Sequence, residues 1–145
     1  MARRSWLDRV PVPAGNVHAI PAENGAAVAA RTYAPLVAAA LPFDLVLLGM
    51  GEDGHTASLF PGHVHDMGEL VHAVQGAPKP PPQRVSLGVT ALNSTATVLV
   101  LVSGTGKHAA VQAWKHGEQL PVACIQGQDG VDVYLDAGAE TGVPA

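Results

Sequence analysis

Asp53 and His55 stand two positions apart in the stretch Gly51-Glu52-Asp53-Gly54-His55, and that spacing suits proton transfer. Histidine is the side-chain type whose ordinary pKa lies near neutrality, which fits it to take a proton from water. A tight turn would let the Asp53 carboxylate hold one imidazole nitrogen and leave the other to act as a base. Glu52 serves the same end or faces solvent. The plainer alternative is an acidic turn with His55 pointing outward, and the residues alone leave both open.

Cations come from two other places. Ser103-Gly104-Thr105-Gly106-Lys107 precedes a helix-like segment, whose exposed N–H groups and dipole favour an anion, and Lys107 adds a full positive charge. The segment superficially resembles a nucleotide phosphate loop, but the GxxxxGK[ST] spacing is absent and His108 follows the lysine. A glycine turn capping a helix beside a solvated lysine is the alternative. Arg84 follows the proline-rich QGAPKPPPQ segment and is either a solvated residue at a strand start or a bidentate phosphate clamp. His63 and His65 have the His-x-His spacing of metal ligands, yet no cysteine or firm third ligand accompanies them. Solvated loop histidines are the expectation there, and no metal is assigned. His18, His72, His108 and His116 form no pattern.

These side chains need elements behind them. Phe43 to Leu48 reads as a strand buried on both faces, the continuous apolar pattern of parallel sheets. TVLVLVSG, 97–104, is the second strong strand. Both end in glycine, at Gly49-Met50-Gly51 and at SGTGK, and ligands of open parallel sheets bind beyond the carboxyl ends of the strands. TASLF, 56–60, reads as a short helix capped by Thr56, Ser58 or both, with Leu59 and Phe60 in the core. Weaker strands are expected at 70–74 and 84–89, and as VACI and VDVYLD near the end. MARRSWLDRV reads as the end of a helix with Trp6, Leu7 and Val10 on one face. Ala22 to Leu41 reads as a helix that Pro35 kinks or splits. A short helix follows Thr90, with caps at Thr90 and Asn93. A longer one runs from Thr105, its cap, to Gly117. Recurring strand, loop and helix give an α/β class with a largely parallel, Rossmann-like sheet flanked by helices. With 145 residues and no dividing linker, a single domain over 1–145 is expected.

Composition narrows the partners. A net charge of −4, with eight basic residues of which four lie near the N-terminus, argues against nucleic acid. A phosphate ester on a small molecule needs only a few local cations. Cys124 stands alone, so neither a disulfide framework nor a cysteine metal site is present. The longest apolar run falls short of the ~20 residues that span a bilayer. MARRSWLDRV lacks the apolar middle of a signal peptide, and a cytoplasmic protein without membrane contact is expected.

FDLVLLGMGEDGHTASLFPG, then RVSLGVTALNSTATVLVLVSGTGK, then LPVACI with VDVYLD, together resemble the 6-phosphogluconolactonase family. A deaminase family acting on glucosamine 6-phosphate has a related Asp-Gly-His loop but typically continues with Asn-Glu-Pro, where TASLFPG stands here. SWLDRVPVPAGNVHAIPAE is similar to the lactonase linker, so the resemblance covers essentially the whole chain. It implies hydrolysis of 6-phospho-D-glucono-1,5-lactone to 6-phosphogluconate in the oxidative pentose phosphate pathway, with no cofactor. His55 would be the general base that activates water, Asp53 would orient it, and amides around Gly51 and Gly54 would face the developing oxyanion. Arg84 and Lys107 match the family's phosphate-binding positions. Family members usually carry a preceding segment with the first strands, a Ser-Gly-Gly phosphate loop and an Asp-Glu-Arg motif. The given sequence starts after the positions that match them, so Met1 is expected to be an internal methionine and the sheet to lack the first strands. An uncovered strand edge then becomes a site for self-association. The rival readings are a truncated, catalytically weak or inactive remnant, and an amino sugar phosphate isomerase or deaminase.

Overall fold

The structure is a computed structural model and describes residues 2–144. Its centre is a parallel three-stranded sheet in the order β1-β4-β5, from β1 (Phe43–Gly49), β4 (Thr95–Val102) and β5 (Val131–Leu135). β1 and β4 run in register from Phe43 opposite Thr95 to Gly49 opposite Leu101, and β4 pairs with β5 from Val98–Val131 to Val102–Leu135. A separate antiparallel pair joins β2 (Val71–Val74) to β3 (Arg84–Leu87). The α/β class with a parallel main sheet is therefore as expected.

Side chains alternate across a strand, and the main sheet uses that alternation unequally. Val46, Val98, Val100 and Val102 are buried in a cluster with Val89, Leu92, Ala110 and Val111, which belong to α3 (Val89–Asn93) and α4 (His108–Lys115). The alternate residues of β1 stand open: Leu45 and Leu47 are 54% and 57% exposed, joined by Leu101 of β4 and Tyr134 of β5. The expectation of a strand buried on both faces is thus corrected. β1 is an edge strand, and one face of it lacks a covering layer among the described residues.

Helix α2 (Ala26–Ala40) continues through Pro35 without splitting. It lies on the β2–β3 pair, where Ala30, Val37, Val71 and Ala91 form a second apolar cluster that Phe43 and Leu87 connect to the first. Packing of this kind holds a helix together past a missing N–H, because most helical stability in a folded chain comes from its apolar face. At the N-terminus only α1 (Ala2–Ser5) and a 3-10 turn at Leu7–Arg9 form, and Trp6 and Val10 stay exposed. α5 (Ala137–Thr141) closes the chain, capped by Asp136, whose carboxylate accepts from the Ala139 amide at 2.7 Å. VACI is not a strand: Pro121–Cys124 is a 3-10 turn with proline at its start, where the missing N–H costs nothing.

The expected caps also differ. Gly88 precedes α3, Thr90 donates its hydroxyl to the Met67 carbonyl, and Asn93 instead bridges the Cys124 carbonyl and the Gln126 amide. Thr105 opens a 3-10 turn, Thr105–Lys107, that runs into α4 without a side-chain cap.

Candidate active site

The turn after β1 brings Asp53 and His55 together. The His55 ring nitrogen Nδ1 lies 2.5 Å from the Asp53 carboxylate, which also accepts from the His55 amide at 3.2 Å. An ionised carboxylate can only accept, so Nδ1 carries the proton and Nε2 keeps its lone pair for chemistry. Burial alone would raise the Asp53 pKa, but the hydrogen bonds from the His55 ring and amide, with the attraction of the imidazole, outweigh it and hold the carboxyl below its ordinary value. The His55 side chain is 17% exposed, so the ring is mostly but not wholly covered.

Glycine at 51 is a steric requirement. A Cβ there would sit 2.0 Å from His55 Nδ1 and 2.7 Å from the Asp53 carboxylate, because the imidazole lies across the Gly51 backbone. Gly54 has φ +76°, and a Cβ on it would meet Leu120 at 2.7 Å. The amides of these glycines do not stand free, contrary to the role expected for them. Gly51 N–H donates to the His55 carbonyl at 2.7 Å and Gly54 N–H to the Gly51 carbonyl at 3.2 Å. Both close the turn on itself. They shape the site, and no oxyanion donor is identified in them.

The TASLF segment, 56–60, is not a helix. Thr56, fully buried, donates its hydroxyl to the Gly49 carbonyl at 2.8 Å, and Ala57 adopts φ +50°. That left-handed step breaks any helical run, since a Cβ resists it. The result aims Leu59 and Phe60, each 1% exposed, into the core as expected.

Phe60 then serves as a shared wall. The His55 ring lies 4.7 Å from it between centroids, and the Arg84 guanidinium sits 5.3 Å from the same ring. Arg84 donates to the carbonyls of Lys79, Pro80 and Pro81 at 2.7, 3.3 and 3.1 Å, so the proline loop wraps and orients it. Those bonds use Nε and Nη2 and leave Nη1 outside them. Lys107 comes from the turn after β4. Its ammonium makes no ion pair among the described residues, and its attraction is one cause of the lowered Glu52 pKa. Arg84 and Lys107 do not touch each other; both border the turn that carries His55.

Two residues of this region carry no motif that would reveal them. Lys79, inside the proline loop, reaches the Glu52 carboxylate at 2.9 Å. Asp136 binds the Gly104 amide with both oxygens, at 3.0 and 2.9 Å, and so occupies the first glycine amide of the SGTGK turn. A lysine flanked by prolines carries no periodic signal, and an acid after a strand looks like any solvated turn residue. His63 lies near Phe60, with ring centroids 5.6 Å apart, and His65 donates from Nε2 to the Phe60 carbonyl at 3.1 Å. Among the described residues, no group of three or more His, Cys, Asp or Glu is arranged to hold a metal ion.

The chain is similar to known proteins in sequence and fold. Chloroplastic 6-phosphogluconolactonase 3 of Arabidopsis thaliana is 36% identical over 97% of this chain and 49% of its own length. The 6-phosphogluconolactonase of Homo sapiens is 37% identical over 94% of this chain and 58% of its own. The crystal structure of 6-phosphogluconolactonase from Thermotoga maritima superposes with a TM-score of 0.76 at 29% identity, covering 92% of this chain and 62% of that one. The chain thus spans roughly half to three-fifths of the length of the relatives it matches. Residues 1–134 match the model described as glucosamine-6-phosphate isomerases/6-phosphogluconolactonase, and the chain belongs to that family.

Proposed function

We propose that this chain hydrolyses 6-phospho-D-glucono-1,5-lactone to 6-phosphogluconate, the step its relatives' names describe. The observation that carries the reading is the Asp53–His55 pair, with Nδ1 committed to the carboxylate and Nε2 left as a base. In this mechanism Nε2 takes a proton from water as the water oxygen attacks the lactone carbonyl carbon. The tetrahedral intermediate collapses, the bond from that carbon to the ring oxygen breaks, and the imidazolium returns its proton to the ring oxygen. The acid product then ionises. Asp53 keeps the ring in one tautomer and balances the transient positive charge. Arg84 and Lys107 hold the phosphoryl group, which is remote from the bond that breaks. No cofactor enters these steps.

Lactone disappearance, with spontaneous opening subtracted, tests the reading, and release of ammonia from glucosamine 6-phosphate serves as the control. Turnover of the lactone that His55→Ala abolishes supports it. Ammonia release in place of lactone turnover assigns the chain to the deaminase branch, and inactivity on both makes it a binding remnant.

The reading extends to one domain, the cytoplasm and self-association. No helix among the described residues is long and apolar enough to cross a membrane. Self-association is supported by the outer edge of β1, unpaired among the described residues, beside exposed Leu45 and Leu47. Sedimentation over a concentration series tests it: a single monomeric species throughout counts against pairing.

A further inference from the structure

Glu52 sets a carboxylate among the cations of the candidate site. Lys79 Nζ pairs with it at 2.9 Å. A Cβ on Gly106 would lie 3.2 Å from its Oε1, so the carboxylate rests against the turn that carries Lys107. The residue that pairs with it, Lys79, also accepts from Arg84 through its main-chain carbonyl at 2.7 Å. Two lysines from separate segments, Lys79 and Lys107, therefore act on one internal anion immediately beside Asp53, with Arg84 held to the Lys79 main chain. Lys79 and Lys107 both lower the Glu52 pKa, Lys79 the more, and Glu52 in turn raises that of Lys79.

A dianion that approaches Arg84 and Lys107 meets Glu52 as a competitor. We propose that the Glu52 carboxylate is a built-in rival for the anion site: it holds Lys79 and faces Lys107 until a phosphoryl group displaces it and takes Lys79 over. The proposal rests on the lactonase reading only in assigning the anion to a sugar phosphate. Lys79 is then a specificity-determining residue, and Glu52 sets how readily it is released. A monoanion gains too little from Lys79 to offset the broken ion pair, whereas a dianion gains about twice the Coulomb attraction at the same distance. Both side chains are more than half exposed, so the pair itself is weak and readily exchanged.

The test is direct binding of inorganic phosphate, monitored by phosphorus NMR titration of the full chain at low ionic strength, with acetate added as the competing monoanion. Glu52→Gln should tighten phosphate binding about two- to fivefold, the span of an exposed ion pair, and the gain should shrink as salt is added. Acetate should gain less than phosphate in the same variant, because its single charge draws only about half the attraction from the freed Lys79. Lys79→Met should cost more phosphate affinity in the Glu52→Gln background than in the native chain, since Lys79 is free there, and Lys79→Arg should restore native behaviour. Unchanged or weaker phosphate binding by Glu52→Gln overturns the proposal, as does an equal cost of Lys79→Met in both backgrounds. Absence of phosphate binding in every variant overturns it too, while leaving lactone turnover to be judged by its own assay. Conversely, a chain that turns over no lactone yet shows the expected phosphate series keeps this proposal and loses the other.

Discussion

The turns after β1 and β4 are built from the same kind of sequence and end in opposite conditions. Each leaves a parallel strand through glycine at the carboxyl end of the sheet. The first turn is closed by its own atoms: Gly51 and Gly54 amides bond within it, Asp53 grips His55, and Thr56 ties back to Gly49. The second is held from outside, by Asp136 reaching across from beyond β5 to the Gly104 amide. A self-closed turn fixes the direction of one ring, as proton transfer demands. A tethered turn only has to deliver a charge, and the Lys107 ammonium keeps its freedom.

The comparison breaks most visibly at His55. Replacing it by Ala should lower kcat by about 10²- to 10⁴-fold, the usual share of a general base, with phosphate affinity nearly unchanged. Equal losses in both would make the ring a structural part. Gly51→Ala comes next: with no room for a methyl group beneath the imidazole, the ring must leave its place, and turnover should fall about a hundredfold. Retained activity there would show that the ring's position is not the one that matters. Arg84→Ala and Lys107→Ala should raise KM about tenfold, with kcat much less affected, as expected for charge-assisted bonds far from the reacting carbon. If kcat falls instead, the cations act on the chemistry.

Gly104→Ala sharpens the contrast with Gly51. A Cβ at 104 meets nothing within 4 Å, yet φ is +94°. The cost should be a loss of stability of about 1 kcal/mol, read by denaturant titration, with turnover by the folded enzyme intact. The smallest effect concerns acid. The folded Asp53 pKa is lowered, so its ionised, His55-bound form favours the folded state above the ordinary carboxylate pKa of about 4 and loses that advantage as pH falls through the lower folded value. The Nδ1–H resonance of His55 should therefore persist from about pH 7 to 5 and fade only in stronger acid. Its loss already in that interval would place the proton elsewhere.

Much of the fold is readable in the residues, for identifiable reasons. β1 and β4 announce themselves because a run of successive apolar or β-branched residues has little alternative to a strand. Asp53 and His55 are close in sequence, so their contact needs no knowledge of tertiary structure. The misreadings cluster where distant atoms decide. VACI has strand composition, but Pro121 and the bond from the Val122 amide to the Gly54 carbonyl bend it into a 3-10 turn. TASLF suggests a helix because its short polar residues resemble caps, whereas Thr56 commits its hydroxyl to the end of β1. Lys79 and Asp136 act through partners 27 and 32 positions away, and no local pattern encodes such a meeting. The open face of β1 has the same origin. Apolar sequence states that Leu45 and Leu47 want cover but not what supplies it.

Phe60 borders both the His55 imidazole and the Arg84 guanidinium, the base and the clamp of the proposed mechanism. Substitutions that reshape that wall to admit a different sugar phosphate would shift the base along with the clamp. Altering substrate choice from that side and preserving rate are therefore conflicting aims, and variation that respects both has to enter from the lysine side instead.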